Sequence, residues 1–341
     1  MNLDDFNFDL PEDLIAFRPP KLRGESKLLF TGNGLEDRSF NQLEEYLIPG
    51  DLLVLNNTKV LKARLMGHKE TGAKVEILIE RIIDTHTASV QTKSNAKLKE
   101  GDLIYLDKKN LYLELIEKKD YLCLFKFSEP VHSVLDNFGE VPLPPYIKRP
   151  AIDLDEERYQ TVYADPGKLN SVAAPTAGLH FSRAHLDKLK SKGIQFTEIT
   201  LNIGLGTFKP IKVSKVEDHV IHKEMISVDI DAVKAISKAK NENRRVIAIG
   251  TTVLRCLESV ATDFSSLEPY EGETSLFIYP GYQFKIVDAL LTNFHLPKSS
   301  LFLLVSAFGG SEGIMSAYLH AIKNKYRFFS YGDSMFISKN E

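Results

Sequence analysis

The chain has 341 residues, a length that predicts about two domains. Its 43 Lys and Arg residues nearly balance 46 Asp and Glu residues, so the formal net charge is −3. This balance excludes a globally basic nucleic-acid-binding protein, and any contact with nucleic acid must come from a local cationic patch.

The termini and the cysteines predict a cytoplasmic protein without membrane contact. The N-terminal MNLDDFNFDL is acidic and lacks the basic and apolar regions of a signal peptide. No apolar run approaches the ~20 residues that a membrane-spanning helix needs. Cys123 and Cys256 lack the spacing of a zinc site or a disulfide framework, so we expect buried free thiols.

The first half of the chain is rich in predicted strands. DLLVLNN, at residues 51–57, predicts a buried strand. Short β-rich segments then follow between residues 60 and 139, at a spacing that favours an antiparallel sheet or a small barrel. They are AKVEILIERII, ASVQTK, GDLIYL, LYLELIE and YLCLFKF. The proline-rich VPLPPYIKRP that follows predicts an extended connector.

Beyond residue 155 the pattern alternates between strands and helices. Helices are predicted at SRAHLDKLKSKG, DIDAVKAISKAKNENRR, TTVLRCLESVAT and SSLFLLVSAFGG, and strands at IQFTEITLNIG, RVIAIG and IVDALLTNFH. Such alternation indicates a parallel α/β layer or barrel. We therefore predict an α/β fold with a barrel-like α/β domain formed by both chain ends, residues 1–57 and 153–341. An antiparallel β-barrel-like domain is inserted at residues 58–152.

Two small-residue motifs lie where a ligand can approach the backbone. In APTAGLHF, Thr176 and Gly178 precede His180 at the start of a predicted helix. The alternative is a helix entry at which His180 only packs. GLGTFKPI places Gly204, Gly206 and Thr207 at a strand end, where an ordinary turn is the alternative.

The segment IGTTVLR joins a buried strand to a helix. Gly250, Thr251 and Thr252 stand at the predicted helix N-terminus, with Arg255 about one turn further on. Free amides at such a terminus face a ligand at the carboxyl end of the strand. The alternative is a tight turn at Gly250 and a threonine cap.

Two further motifs combine histidine with carboxylates or amides. EDHVIH brings Asp218, His219 and His222 together, but a metal site needs a further ligand that the segment does not supply. LTNFHLP ends a predicted strand with Asn293 and His295. These polar groups follow strands or glycine turns, and such positions lie at the edge of the sheet where α/β enzymes bind ligands. The pattern therefore favours an enzyme.

The C-terminal YRFFSYGD gathers aromatic residues with Tyr331 and Asp333. Such an aromatic stripe is usually part of a core. The alternative is a surface on which a base stacks.

The chain resembles the S-adenosylmethionine:tRNA ribosyltransferase-isomerase family of queuosine biosynthesis, from Asp5 to Ile337. The matching stretches, in family order, are GDLLVLNNTKVLKARL, VPLPPYIKRP, YQTVYA, VAAPTAGLHF, TLNIGLGTFKPI, EDHVIH, VIAIGTTVLRCLES, FIYPGYQFKIVDALLTNFHLPKSSL and YRFFSYGDSMFI. The sequence departs from the family pattern at Asn202, where a His is usual, at Val253 and at Lys59. Asn202 puts in doubt an acid or base role for a histidine at that strand.

The resemblance implies the reaction. The ribosyl group of S-adenosylmethionine is transferred and isomerised onto 7-aminomethyl-7-deazaguanine at the wobble position of tRNAs for Asp, Asn, His and Tyr, which have GUN anticodons. The product is epoxyqueuosine-tRNA, and adenine and methionine are released. S-adenosylmethionine is a consumed substrate, no metal or redox cofactor is implied, and we expect a monomer.

We combine the motifs and the resemblance into a set of candidate residues. The catalytic candidates are His180, His219, His222, His295 and Asp218. The substrate-binding candidates are Thr176, Gly178, Gly204, Gly206, Thr207, Gly250, Thr251, Thr252, Arg255, Asn293, Tyr331 and Asp333. The candidates for tRNA binding are Lys59, Arg64, Lys148 and Arg149.

Two other functions remain open at this point. One is a non-catalytic RNA-binding protein on the same scaffold. The other is a different enzyme that processes S-adenosylmethionine or a nucleoside, with Asn202 marking altered chemistry. Release of adenine in the presence of purified tRNA discriminates among the three.

Overall fold

The computed structural model describes residues 1–32, 34–107, 110–119, 122–204, 206, 210–261 and 264–339. Within these residues the strands are β1 (Lys27–Gly32), β2 (Gly34–Ser39), β3 (Leu52–Asn56), β4 (Lys59–Val60), β5 (Arg64–Lys69), β6 (Lys74–Ile82), β7 (Thr87–Ser94), β8 (Leu103–Asp107), β9 (Leu111–Lys119), β10 (Leu122–Phe127), β11 (Leu169–Ser171), β12 (Gln195–Leu201), β13 (Glu224–Val228), β14 (Val246–Ile249), β15 (Tyr270–Thr274), β16 (Ala289–Asn293) and β17 (Ser334–Ser338). The α-helices are α1 (Val131–Phe138), α2 (Asp153–Arg158), α3 (Arg183–Ser191), α4 (Ile230–Asn241), α5 (Thr251–Val260), α6 (Ser300–Gly309) and α7 (Ser311–Lys323).

Nine strands form one mixed sheet in the order β15-β13-β12-β3-β14-β16-β17-β1-β2. The neighbours β12, β3, β14 and β16 run parallel, and β17 is antiparallel to β16. Strands β3 and β14 are buried along their whole length. Their near-continuous apolar sequences follow from cover on both faces of the sheet. Val54 and Ala248 belong to the core that includes α5 and α6 residues, and Leu53 and Ile247 belong to the core that includes α3 residues.

A second unit is a closed antiparallel barrel in the order β10-β7-β6-β5-β8-β9. Its strands alternate buried and exposed residues, as in β6, where Val75, Ile77 and Ile79 fill the barrel core. The barrel strands lie between β3 and β12 in the chain, inside the predicted insertion. The α/β class and the inserted antiparallel barrel are therefore confirmed, and the larger domain takes the form of a nine-stranded mixed sheet. The boundaries at residues 57 and 153 stay a prediction.

The predicted helices begin and end close to where the sequence placed them. Ser182 caps α3 by accepting a hydrogen bond from the amide of His185, at 3.1 Å, and Gly193 follows at φ +83°. Ser299 caps α6 through the amide of Phe302, at 3.2 Å. Cys123 and Cys256 are buried free cysteines, as expected.

The structure specifies the two segments that precede α3 and α5. In APTAGLHF, Thr176–His180 form a short 3-10 helix that is largely buried. Neither Thr251 nor Thr252 caps α5. The N-cap is Gly250 at φ +98°, without a side-chain cap, because a glycine turn and not a hydroxyl sets the entry into this helix.

Among the described residues, no single helix is long and apolar enough to cross a membrane. The helices α6 and α7 pass that test only as a pair, and the chain bends by 115° between them.

Candidate active site

Strands β14 and β16 are parallel neighbours, and a cavity lies just beyond their carboxyl ends. The cavity measures about 120 Å³, and we call it the first cavity. Gly250 follows β14 and Asn293 ends β16, and both line it. This is the edge at which α/β sheets bind their ligands, and the cavity lies where the sequence predicted a ligand-binding edge.

Two helix N-termini meet at the first cavity. Gly250, Thr251 and Thr252 at the start of α5 line it together with Ser299, the N-cap of α6. A helix N-terminus carries partial positive charge and unpaired amides. Cations are therefore disfavoured in this cavity, while neutral acceptors and anions are favoured.

Two larger cavities continue from the first. The second cavity, about 690 Å³, shares Pro210 and Leu301 with the first. The third, about 430 Å³, shares Glu80 and Gly204 with the second and extends along β6 of the barrel. We call these three cavities the groove. It connects the strand ends of the nine-stranded sheet with the inserted barrel.

His180 lies in a wall behind the first cavity and does not line it. Its side chain is 4% exposed, and its Nδ1 lies 2.7 Å from Ser26 Oγ. Its Nε2 lies 3.2 Å from Asn293 Nδ2, and its ring stacks on Phe40 at a centroid distance of 4.9 Å. Burial lowers the pKa of His180 to about 3, so the imidazole is neutral at pH 7. Its catalytic role stays a prediction.

His295 does line the first cavity, but it too is neutral. Its Nε2 lies 3.0 Å from Thr292 Oγ1, and its amide donates to Tyr318 Oη at 3.0 Å. Burial lowers the pKa of His295 to about 3. The imidazole is therefore neutral at pH 7, and the catalytic role of His295 stays a prediction.

His219 and His222 line the second cavity and remain accessible. His219 is half-buried and its ring meets Phe277 edge-on, with centroids 5.1 Å apart, while His222 is exposed. Burial, with a smaller contribution from His222, lowers the pKa of His219. Asp218 precedes them on an exposed turn and lines none of the three cavities of the groove. Within the described residues, no cluster of three metal-ligating side chains occurs.

Arg255 forms a buried ion pair with Glu224 at the wall of the second cavity. The two residues are 7% and 6% exposed, and Glu224 Oε1 also accepts from the amide of Gly204 at 3.4 Å. Burial lowers the pKa of Arg255 to about 10, which leaves the guanidinium charged at pH 7. The pair joins α5 to β13, so Arg255 has a structural partner besides any substrate.

The remaining substrate-binding candidates divide into two groups. Thr176 lines the first cavity, and Gly204 and Gly206 line the second. Gly178, Tyr331 and Asp333 line none of the three cavities. Thr207 lies outside the described residues.

The three candidates away from the groove have structural contacts. A Cβ at Gly178 would lie 2.0 Å from Tyr163 Oη, so close packing requires a glycine there. Tyr331 donates to Asp155 Oδ1 at 2.7 Å. Asp333 accepts from the amides of Lys27 and Arg327, at 2.9 and 2.7 Å.

Three of the four candidates for tRNA binding are paired with carboxylates. Arg64 contacts Glu76 at 2.5 Å, Arg149 contacts Asp155 at 2.6 and 2.9 Å, and Lys148 contacts Glu12 at 2.7 Å. Lys59, on β4, has no ion pair among the residues that the structure describes. A phosphate would compete with a carboxylate at three of these positions and with water at Lys59.

Sequence reasoning missed the aromatic wall of the first cavity. The rings of Tyr146 and Phe329 stack with centroids 4.2 Å apart, and both residues line the cavity. Phe329 and Lys298, which also lines it, have φ of +73° and +53°. Non-glycine residues in this region are strained and cluster at ligand sites. The motif YRFFSYGD was noticed for its aromatic residues, but nothing in it distinguished Phe329 from Tyr331.

Comparison with known proteins gives a consistent result. The profile of a family described as "Queuosine biosynthesis protein" matches residues 3–337. Two proteins of Legionella pneumophila, strains Lens and Paris, are named S-adenosylmethionine:tRNA ribosyltransferase-isomerase and are each 49% identical over 337 residues, covering 98% of this chain and 99% of theirs. The crystal structure of an S-adenosylmethionine tRNA ribosyltransferase from Thermotoga maritima is similar, with 33% identity, a TM-score of 0.56 and coverage of 98% of this chain and 99% of the other.

Proposed function

We propose that this chain, which belongs to the queuosine biosynthesis protein family, is an S-adenosylmethionine:tRNA ribosyltransferase-isomerase. The observation that carries the proposal is the 49% identity to proteins of that name, which extends over 98% of the chain. The aligned 337 residues include the strands that line the groove, among them β6 of the barrel. The arrangement also has room for two substrates, because the groove opens at the sheet edge and continues towards the barrel.

The reaction that we propose consumes S-adenosylmethionine. Its ribosyl group is transferred and isomerised onto 7-aminomethyl-7-deazaguanine in tRNAs with GUN anticodons, with release of adenine and methionine. No metal or redox cofactor takes part. The sulfonium makes the protons on the neighbouring 5′-carbon acidic, so a base that removes one of them starts the rearrangement. An acid that protonates adenine assists its departure.

His219 and His222 are the residues that we assign to proton transfer. A group that transfers protons has to reach the substrate and exchange its proton with solvent. His219 and His222 are accessible in the second cavity, whereas His180 and His295 are buried and burial lowers their pKa values to about 3. Their position next to the largest part of the groove lets them reach a bound sulfonium substrate from the solvent side.

The test is release of adenine by the purified protein. S-adenosylmethionine is incubated with tRNA that carries 7-aminomethyl-7-deazaguanine, and with the same tRNA carrying unmodified guanine as the control. We expect adenine and methionine in equal amounts with the first tRNA and neither with the second. Binding of tRNA without release of adenine would identify a non-catalytic RNA-binding protein. Release without any tRNA would identify a different nucleoside-processing enzyme.

A further inference from the structure

We propose that the first cavity is a base-binding subsite that recognises the exocyclic amino group of a flat heterocycle through Asn293 Oδ1 and Thr252 Oγ1. The inference rests on the proposed function in one respect, since it takes the adenine of S-adenosylmethionine as the occupant.

The first observation is that two polar atoms at this cavity have no hydrogen-bond partner among the residues that the structure describes. Asn293 Oδ1 and Thr252 Oγ1 are both buried and unpartnered, and both residues line the first cavity. Asn293 is only 2% exposed. A buried polar atom without a partner is unfavourable by about 1–3 kcal/mol, so two at one cavity indicate that a ligand completes them.

The orientation of the Asn293 amide is fixed by its surroundings. Its Nδ2 lies 3.0 Å from the carbonyl of Phe329 and 3.5 Å from that of Asp333. Rotating the amide would place Oδ1 against two carbonyl oxygens, so the nitrogen has to face them. The atom that remains for the cavity is therefore the acceptor, and it can pair only with a donor on the ligand.

His180 holds this amide in place. Because Asn293 Nδ2 donates to His180 Nε2, at 3.2 Å, the imidazole proton resides on Nδ1, from which it can donate to Ser26 Oγ at 2.7 Å. This tautomer requires a neutral ring. Ser26 and His180 are therefore positioning residues that aim Asn293 and do not touch the substrate.

The chemistry of the cavity selects a neutral base over the charged parts of the substrate. A carboxylate would face the acceptor Asn293 Oδ1, and an ammonium or sulfonium would face the N-termini of α5 and α6. The rings of Tyr146 and Phe329 offer a surface on which a heterocycle stacks. A volume of about 120 Å³ is several times the roughly 10–15 Å³ that one water requires, which suits a single base.

Two bases in the reaction carry an exocyclic amine, namely adenine and the deazaguanine of the tRNA. The experiment separates them by measuring binding of the free bases to the intact protein by calorimetry, without tRNA and without turnover. The probes are adenine, hypoxanthine and 7-aminomethyl-7-deazaguanine. Hypoxanthine presents a carbonyl where adenine has its amine, so we expect it to bind about 10- to 100-fold more weakly than adenine.

Thr252→Val is the central variant, because within the described part of the chain the Thr252 hydroxyl has no hydrogen-bond partner whose loss would disturb the fold. We expect it to weaken adenine binding about 2- to 10-fold, with an unchanged melting temperature. The matched control is Thr161→Val, since Thr161 Oγ1 is also buried and unpartnered but lines none of the three cavities of the groove. This variant should bind adenine like the parent protein.

Asn293→Leu removes the acceptor oxygen from the cavity, and His180→Gln changes the side chain that holds the Asn293 amide. Both should reduce the ratio of adenine to hypoxanthine affinity, a readout that a purely structural role would not move.

Three results would overturn the proposal. Equal affinity of the parent protein for adenine and hypoxanthine would remove the recognition of an amine. If 7-aminomethyl-7-deazaguanine binds more tightly than adenine, and Thr252→Val abolishes that binding, the occupant of the cavity is the tRNA base and not adenine. Unchanged adenine binding in both Thr252→Val and Asn293→Leu would show that adenine binds elsewhere. Each result stands whether or not the protein releases adenine in the presence of tRNA, so failure of the subsite is distinct from failure of the proposed function.

Discussion

The two ends of the groove differ in how their polar groups are held. At the first cavity, Asn293 and His180 are buried and bonded to the wall, and the histidines there are neutral at pH 7. At the second cavity, His219 and His222 are accessible. A fixed, neutral wall suits recognition of a neutral group, whereas accessible imidazoles suit movement of protons. We therefore expect the histidines in and behind the groove to divide between these tasks according to burial.

The largest expected effect comes from the accessible end. His219→Ala and His222→Ala are each expected to lower the rate of adenine release, with the more affected position falling about 10²–10⁴-fold, because general acid–base catalysis contributes about this much. Single-turnover release across pH is the measurement. His132→Ala, at an exposed histidine on α1, is the control and should keep the parent rate. If neither groove variant slows release or changes the pH profile, proton transfer does not belong to the second cavity.

Removing the buried ion pair between Arg255 and Glu224 tests whether this part of the second cavity stabilises the fold or binds substrate. Arg255→Met removes the positive charge that faces the buried Glu224 carboxylate, so we expect a loss of about 3–5 kcal/mol in the free energy of unfolding. Denaturant unfolding measures it. Lys148→Met is the matched control, because its exposed pair with Glu12 should contribute about 0–1 kcal/mol. A small loss in Arg255→Met, together with weaker substrate binding, would instead assign this arginine to the ligand.

The buried histidines predict acid sensitivity. The pKa of His295 falls from its ordinary 6.5 to about 3 on folding, so below pH 6.5 the unfolded chain binds a proton that the folded chain does not. This histidine therefore does not lower the free energy of unfolding above pH 6.5. As pH falls from 6.5 towards 3, the free energy of unfolding decreases by about 1.4 kcal/mol per pH unit. We expect His295→Gln to reduce this slope between pH 6 and 4. His219→Gln, at a half-buried position, should reduce it less, and equal slopes in both variants would contradict the division by burial.

The smallest effect concerns the tRNA. With a net charge of −3, binding should depend on few cations, and affinity should fall moderately as salt rises. Lys59→Ala should reduce the slope of log affinity against log salt concentration by the amount that corresponds to about one phosphate contact. Lys148→Ala should change this slope less, because Lys148 is already paired with Glu12. Affinity that stays constant across the salt series would remove the cationic patch altogether.

Much of the fold could be predicted because local signals and tertiary structure agree. Strand β14 has an apolar run bounded by Arg245 and Gly250, and α3 has both a serine cap and a terminal glycine. The strands β1, β13 and β17 were not predicted. KLLFTG, EMISV and SMFIS are short, and their place in the sheet depends on partners far away in the chain, as in the pairing of Leu28 with Ser334.

The candidate site was predictable only in part. Asn293 and Gly250 could be found because Asn293 ends a strand and Gly250 directly follows one, and the carboxyl ends of strands locate a ligand-binding edge. Burial could not be inferred, so His180 and His219 looked alike in sequence although one lies inside a wall and the other in a cavity. The stack of Tyr146 on Phe329 joins residues from two distant segments, and no local pattern indicates it.

The most direct test of the central claim follows the ribose itself. S-adenosylmethionine labelled in the ribose is incubated with the protein and with tRNA carrying 7-aminomethyl-7-deazaguanine, and the digested tRNA is examined by mass spectrometry. The account predicts that the label appears on the modified base, in an amount equal to the adenine released. Adenine release with no label on the tRNA, or label on the tRNA with adenine still attached, would contradict it.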